Sequence, residues 1–338
     1  MDRVPFAFYD HLRSITYFYE LWTTKELSGY YGEISHFAFK HRAEYSVDVA
    51  DGIEKHGYLS YDCGDQEVRE PEEIEAFPKK FVHTVTINLK DAKDENVSRA
   101  IVRRFPYSYY DFVHHSSSIN EAWVDLAYSL KRLETVTITE ELDDDALRLF
   151  RKLVTGQKLT WLAMHVEACN DSTMDIFKTL LCQDQFQELD IVNEITEWDD
   201  VDICEILEFW SENNEKLRGK ALVLQDKRKT STLPGNQFDI ENALTPCSKE
   251  ECHFIKTEYN GNLFTFEKPS CFYKFEEVDE GNERRFYISF ECAHEETHDE
   301  GGGSNDRATW QQLVHPSFFG LKGLSLMRKT MCLQVLFG

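Results

Sequence analysis

The chain has 338 residues, 41% apolar and 13% aromatic, which is enough to bury a core and excludes global disorder. Lys and Arg number 37 against 61 Asp and Glu, a formal net charge of −24. That balance argues against a nucleic-acid binder, which needs a basic stripe to displace counterions from phosphate, and against docking on an anionic membrane surface.

The N-terminus, Met1-Asp2-Arg3-Val4-Pro5, leads into no long apolar run, so no secretory signal is expected, and no stretch approaches the ~18 apolar residues of a spanning helix. Nine cysteines without regular spacing fit a reducing interior, the cytoplasm or the nucleus, where thiols stay free. Charge is uneven. Residues 184–215 hold 12 acidic and no basic residues, and residues 276–306 hold 11 acidic and two basic, so the two stretches carry −21 of the −24.

In chain order, Phe8, Leu12, Ile15 and Phe18 recur at helical spacing behind Pro5, a residue suited to a first helical turn. Ile34, Phe37, Ala38 and Tyr45 predict a second helix, and Gly52 to Pro78, acidic and broken by glycine and proline, reads as a surface connection. One apolar spacing then recurs: Val82-x-x-Val85-x-Ile87, Leu133-x-x-Val136-x-Ile138, Leu159-x-x-Leu162-x-Met164 and Phe186-x-x-Leu189-x-Ile191, with irregular copies from Gly219 and Leu321. The last three of the four start 26 and 27 residues apart, and the first lies 51 before the second, close to two units. Helical stripes fall between the runs: Ala146 to Val154 behind the caps Asp143 to Asp145, Ile176 to Leu181 behind Asp171 or Ser172, and Val201 to Trp210 behind Asp199 and Asp200.

Strand plus helix at this period predicts an α/β chain built as an irregular leucine-rich-repeat-like solenoid over residues 81–240. The alternative is an ordinary α/β domain with crossovers of equal length. Residues 241–300 alternate and are rich in aromatics (His253 to Tyr259, Leu263 to Glu267, Cys271 to Val278, Arg285 to Cys292), which predicts a C-terminal antiparallel β insertion. Residues 301–338 open on a glycine loop and end in a repeat-like strand, and residues 51–80 form the acidic connection.

His294-Glu295-Glu296-Thr297-His298 matches H-E-x-x-H, a zinc-binding spacing on a helix. Its flanks are acidic and glycine-rich and offer no apolar face, so a solvated loop is expected instead. Cys247, Cys252, His253, Cys271, Cys292 and His294 lack the short paired spacing of a zinc ribbon and read as strand cysteines. No phosphate loop, dinucleotide fingerprint or nucleophile elbow is present. Neither a catalytic set, a cofactor nor a metal is expected, and the chain reads as an interaction protein.

In a solenoid the strand positions that miss the core line one face, here Thr84, Thr86 and Asn88, then Thr135, Thr137 and Thr139, then Trp161, Ala163 and His165, then Glu188, Asp190 and Val192. Trp161, His165, Glu188 and Asp190 are the expected partner-binding residues: an apolar anchor beside acid suits a partner offering Lys or Arg. Packing of Trp161 against the β insertion is an equal alternative.

The opening Val4-Pro5-Phe6, the segment Phe209-Trp210-Ser211-Glu212-Asn213-Asn214-Glu215-Lys216-Leu217-Arg218-Gly219-Lys220 and the late His315-Pro316-Ser317-Phe318-Phe319 resemble the nematode-type F-box and F-box-like proteins. That resemblance implies that a helical F-box-like segment, residues 1–50 with Pro5, Phe8 and Leu12, docks the small adaptor of a cullin-type ubiquitin ligase while the repeats hold a target. The other reading is a scaffold or inhibitor that binds a basic protein through its acidic segments.

Overall fold

The computed structural model describes residues 24–64, 66–92, 95–194, 203–227, 243–259, 270–279, 282–291, 324, 327 and 330–338. The chain is mixed α/β and divides into two compact units, Met1–Lys158 and Leu159–Gly338, a boundary that falls inside the expected repeat region.

The first unit opens on α1 (Tyr30–His41), β1 (Ala43–Ala50) and β2 (Ile53–Tyr61). Helix therefore gives way to strand within the segment expected to be helical through residue 50, and Tyr45 lies on β1, opposite Leu59. Asp51 and Gly52 both take positive φ, 55° and 71°, between the paired residues Ala50 and Ile53. Two left-handed residues make the tight turn whose twist matches a hairpin, so the Asp-Gly dipeptide starts a strand pair where a surface connection was expected. A bulge follows on β2, where His56 has φ 54°. β3 (Glu67–Val68) and α2 (Pro71–Ala76) complete the hairpin region, and Pro71 begins the helix because its missing N–H has no partner to lose there.

The alternating run is β4 (Val82–Leu89), α3 (Glu95–Arg104), β5 (Tyr109–His114), α4 (Glu121–Ser129), β6 (Leu133–Ile138) and α5 (Asp144–Thr155). β5 fills the 51-residue gap between the first two apolar runs. The sheet of this unit runs β3-β2-β1-β4-β5-β6, antiparallel through β1–β2–β3 and parallel from β1 to β6. Val85, Ile87, Tyr110, Phe112, Val136 and Ile138 are buried on one face together with Phe105, Trp123, Phe150 and Leu153 from the helices. Trp123 meets the Phe112 ring edge-on at 5.5 Å, and burying side chains of this size stabilises by about 1.5–3 kcal/mol each. Asp143 caps α5 as expected, accepting from the Ala146 N–H at 2.7 Å.

The second unit continues with β7 (Trp161–His165), α6 (Asp171–Leu181), β8 (Glu188–Asn193), α7 (Ile203–Leu217) and β9 (Ala221–Asp226), whose three strands are parallel. The cap of α6 is Asn170, not Asp171 or Ser172: its side chain accepts from Thr173 N while the Thr173 hydroxyl accepts from Asn170 N. β10 (Thr245–Pro246), α8 (Lys249–Glu258), β11 (Ser270–Asp279), β12 (Asn282–Glu291) and β13 (Cys332–Phe337) follow. The sheet order is β7-β8-β9-β13-β12-β11-β10, with β13 antiparallel to both β9 and β12.

β11 and β12 form the expected antiparallel pair, but His253 to Tyr259, expected as a strand, belongs to α8 and its C-cap. Ser248 and Glu251 form a reciprocal capping box, and an S-x-x-E signature outweighs the aromatic alternation. α7 and α8 cover opposite faces. Trp210 of α7 packs on Phe286 at 5.0 Å and on Phe337, whereas Ile255 of α8 clusters with Tyr287 and Leu336, the alternate positions of the same strands. The first helix (Phe8 to Phe18), the caps Asp199 and Asp200, the strand Leu263 to Glu267 and the H-E-x-x-H segment lie outside the described residues.

Among the described residues no helix is long and apolar enough to cross a membrane. Cys63, Cys169, Cys182, Cys247, Cys252 and Cys332 are free thiols, whereas Cys271 is disulfide-bonded, against the expectation that every thiol stays reduced.

Candidate functional site

Opposite the helices, the sheet of the first unit carries a polar face. Register aligns Ser46, Thr86, Asp111 and Thr135 in one row, and Asp48, Asn88, Val113 and Thr137 in the next. These side chains are half-buried, so the face is neither core nor fully solvated.

Two β-bulges shape one end of it. Between β1 and β4 the register steps from Ala43↔Val82 to Glu44↔Thr84, leaving His83 as the extra residue; between β5 and β6 it steps from Tyr110↔Leu133 to Asp111↔Thr135, leaving Glu134. A bulge re-aims a side chain: His83 meets Arg42, and Glu134 acts on Asp111. Arg42 ties the cluster together. Its Nε meets Asp62 Oδ2 at 2.7 Å, and its Nη2 donates to His83 Nδ1 at 2.7 Å. Because a guanidinium only donates, His83 Nδ1 accepts and Nε2 carries the ring proton. The His83 ring also lies 5.1 Å from Tyr109, over whose ring the Arg132 guanidinium sits at 5.4 Å.

Burial, reinforced by the Arg42 and Arg132 charges, pushes His83 down to about 3, so it is neutral. Asp111 moves the other way: burial, with the Glu134 and Glu44 charges, pushes its carboxyl up to about 7, although the Thr135 N–H donates to Oδ1 at 3.1 Å. Burial lifts Asp62 to about 6 against the pull of Arg42, and raises Glu134. The result is a patch whose protons are loosely held near neutrality.

Of the expected partner-binding residues in the second unit, Trp161 and His165 lie on β7 and Glu188 and Asp190 on β8. Trp161 pairs with Glu188 and Ala163 with Asp190 across β7 and β8, with His165 two residues on from Ala163. Trp161, His165, Glu188 and Asp190 are half-buried while Ala163 is buried, and Trp161 Nε1 donates to Gln187 Oε1 at 3.3 Å. Glu188 and Asp190 hydrogen-bond to one another; burial raises both carboxyls, and the Glu188 charge adds to the rise at Asp190. Burial lowers His165. Pro5, Phe8 and Leu12 lie outside the described residues.

The acidic stretch 184–215 is partly neutralised within the fold. Lys178 pairs with Glu205 at 2.5 Å and Lys227 with Glu194 at 2.8 Å. Among the described residues no group of three or more His, Cys, Asp or Glu is placed to hold a metal.

Arg42, Glu44, Asp111 and Glu134 were not expected from the sequence, yet a signal was there. Strict alternation cannot produce Val82-x-x-Val85-x-Ile87 or Leu133-x-x-Val136-x-Ile138, because the first gap is one residue too long; that residue is the bulge.

No protein-family model, curated protein or solved structure matches the chain.

Proposed function

We propose that the chain is a non-enzymatic interaction protein in which an irregular leucine-rich-repeat-like run presents its open sheet face to a protein partner. The observation that carries this reading is the two-sidedness of the parallel run: consecutive strands lie side by side in sequence order, one face is sealed by helices, and the other bears rows of hydroxyl, amide and carboxyl groups. Such a surface suits a polar, adaptable contact. The resemblance of the N-terminal and late segments to F-box-like proteins supports the narrower role of substrate receptor for a cullin-type ubiquitin ligase, with residues 1–50 meeting the adaptor and the sheet face meeting the target.

The full chain, purified with the ligase adaptor, tests the narrower role: stable co-elution supports it, and failure to retain adaptor removes it. Thr86→Lys and Thr137→Lys, which put charge on the neutral rows, test the broader one, since loss of a captured protein with an unchanged melting temperature is expected. The scaffold or inhibitor reading has less support, because lysines within the fold already engage Glu194 and Glu205.

A further inference from the structure

Two free thiols flank the start of α8. Ser248 is its N-cap and Glu251 completes the reciprocal box, so Cys247 is the residue just before the cap and Cys252 the fourth residue inside the helix. A capping box turns the side chains at these two positions toward one another, the contact that an apolar staple makes in other helices. Here the contact is made by sulfur. Cys252 packs against the buried cluster of Cys247, Ile255, Tyr287 and Leu336, and the two thiols hydrogen-bond to each other. The backbone before the helix is also held in place: the Cys247 N–H donates to the Phe272 carbonyl of β11 at 3.0 Å, and Thr245 and Pro246 pair with the same strand.

The two sulfurs are not equivalent. Cys247 is 8% exposed, whereas Cys252 is half-buried and within reach of solvent. The hydrogen bond between them raises the Cys247 thiol and lowers Cys252, the latter against burial and the Glu251 charge. Cys247 therefore donates and Cys252 accepts, and the accessible sulfur is the one that favours the thiolate, the nucleophilic form.

We propose that Cys247 and Cys252 form a thiol–disulfide exchange site for a small disulfide of the glutathione class, and that its closure pins the first turn of α8 to the chain entering from β10. The Cys252 thiolate attacks one sulfur of the small disulfide, whose S–S bond breaks; a mixed disulfide forms on Cys252, and the departing thiolate takes up the proton that Cys252 gave up. Cys247 then attacks Cys252 Sγ, and its proton passes to the second departing thiolate. The protein thus loses two thiol hydrogens and gains one S–S bond, while the small disulfide accepts two electrons and becomes two thiols. The capping box and the side-chain contact supply the proximity that a disulfide demands. This site stands independently of the docking role of the sheet face.

Equilibration of the full chain with glutathione at rising ratios of disulfide to thiol, followed by acid quench, alkylation and tryptic peptide mapping, tests the proposal, because Lys249 separates the Cys247 and Cys252 peptides. At roughly tenfold excess of the small disulfide the two peptides should be joined to each other and free of glutathione, and added thiol should part them again. Amide exchange in α8 should slow by about tenfold in the closed form. Cys247→Ser should leave glutathione on Cys252, and Cys252→Ser should leave the buried Cys247 unmodified. If Cys247→Ser does not fold, the map of the unaltered chain decides alone. Peptides that stay separate under full oxidation, a bond from either thiol to Cys271 instead, or exchange in α8 that closure does not change, overturns the proposal.

Discussion

Asp111→Asn should stabilise the protein at about pH 8 and change little at about pH 4, because the carboxyl is costly only when ionised in place. Burial together with Glu134 and Glu44 raises this group from its ordinary 3.8 to about 7. The folded chain therefore keeps a proton that the unfolded chain has released between those values. Its contribution to stability is complete below the unfolded pKa and is lost as pH rises through the folded one. At about 1.4 kcal/mol per pKa unit the full shift corresponds to roughly 4 kcal/mol, and solvent access to a half-buried group reduces the expected gain to about 2–3 kcal/mol. Asparagine keeps an oxygen for the Thr135 N–H, which donates to Asp111 Oδ1 at 3.1 Å, so the bulge is preserved. Urea unfolding of both chains across this pH range measures the difference directly, provided m is unchanged. A gain that is the same at both ends of the range, or a loss at the alkaline end, would refute the argument that ionisation of a crowded carboxyl sets this slope.

The second unit offers a packing test. Trp210, 3% exposed against Phe275, Phe286 and Phe337, should cost about 3–5 kcal/mol as Trp210→Ala. Trp210→Phe should cost far less in the same denaturation assay, since it also removes a buried indole N–H that has no partner. Asn170→Ala removes the capping box of α6 and should lower stability by about 1 kcal/mol in thermal or urea unfolding. Gly57→Ala should destabilise the hairpin region. The new Cβ would lie 2.3 Å from the Tyr45 hydroxyl, which donates to Glu54 and accepts from Arg104, and faster amide exchange in β1 and β2 is the expected signature.

Much of the fold was legible because apolar spacing and capping chemistry act locally. The runs at Val82 and Leu133 mark β4 and β6, the runs at Leu159 and Phe186 contain most of β7 and β8, and Asp143 caps α5. Misreadings arose where two local signals competed. Residues 253–259 alternate like a strand, but the Ser248 and Glu251 capping box starts a helix; Gly52 looks like a breaker, but beside Asp51 it closes a hairpin. At the candidate site the threonines and Asn88 of the open face could be read from spacing, whereas β5 was hidden in a gap of two units, and Asp111 with it.

What the sequence determined by itself is therefore the alternation of strand and helix, the polar character of the positions that miss the core, and the net charge. These follow from each residue's own chemistry and its near neighbours. Tertiary structure decided which charges meet. Arg42, Asp62, His83, Asp111 and Glu134 are far apart in the chain; antiparallel β1–β2 pairing brings Asp62 to Arg42, and parallel pairing with a bulge at His83 and another at Glu134 brings in the rest. Burial then lowers His83 and raises Asp111, shifts that depend on the neighbours the sheet assembles. The −24 belongs to the whole chain, but the crowded carboxyls that give one face its chemistry belong to the register of four strands.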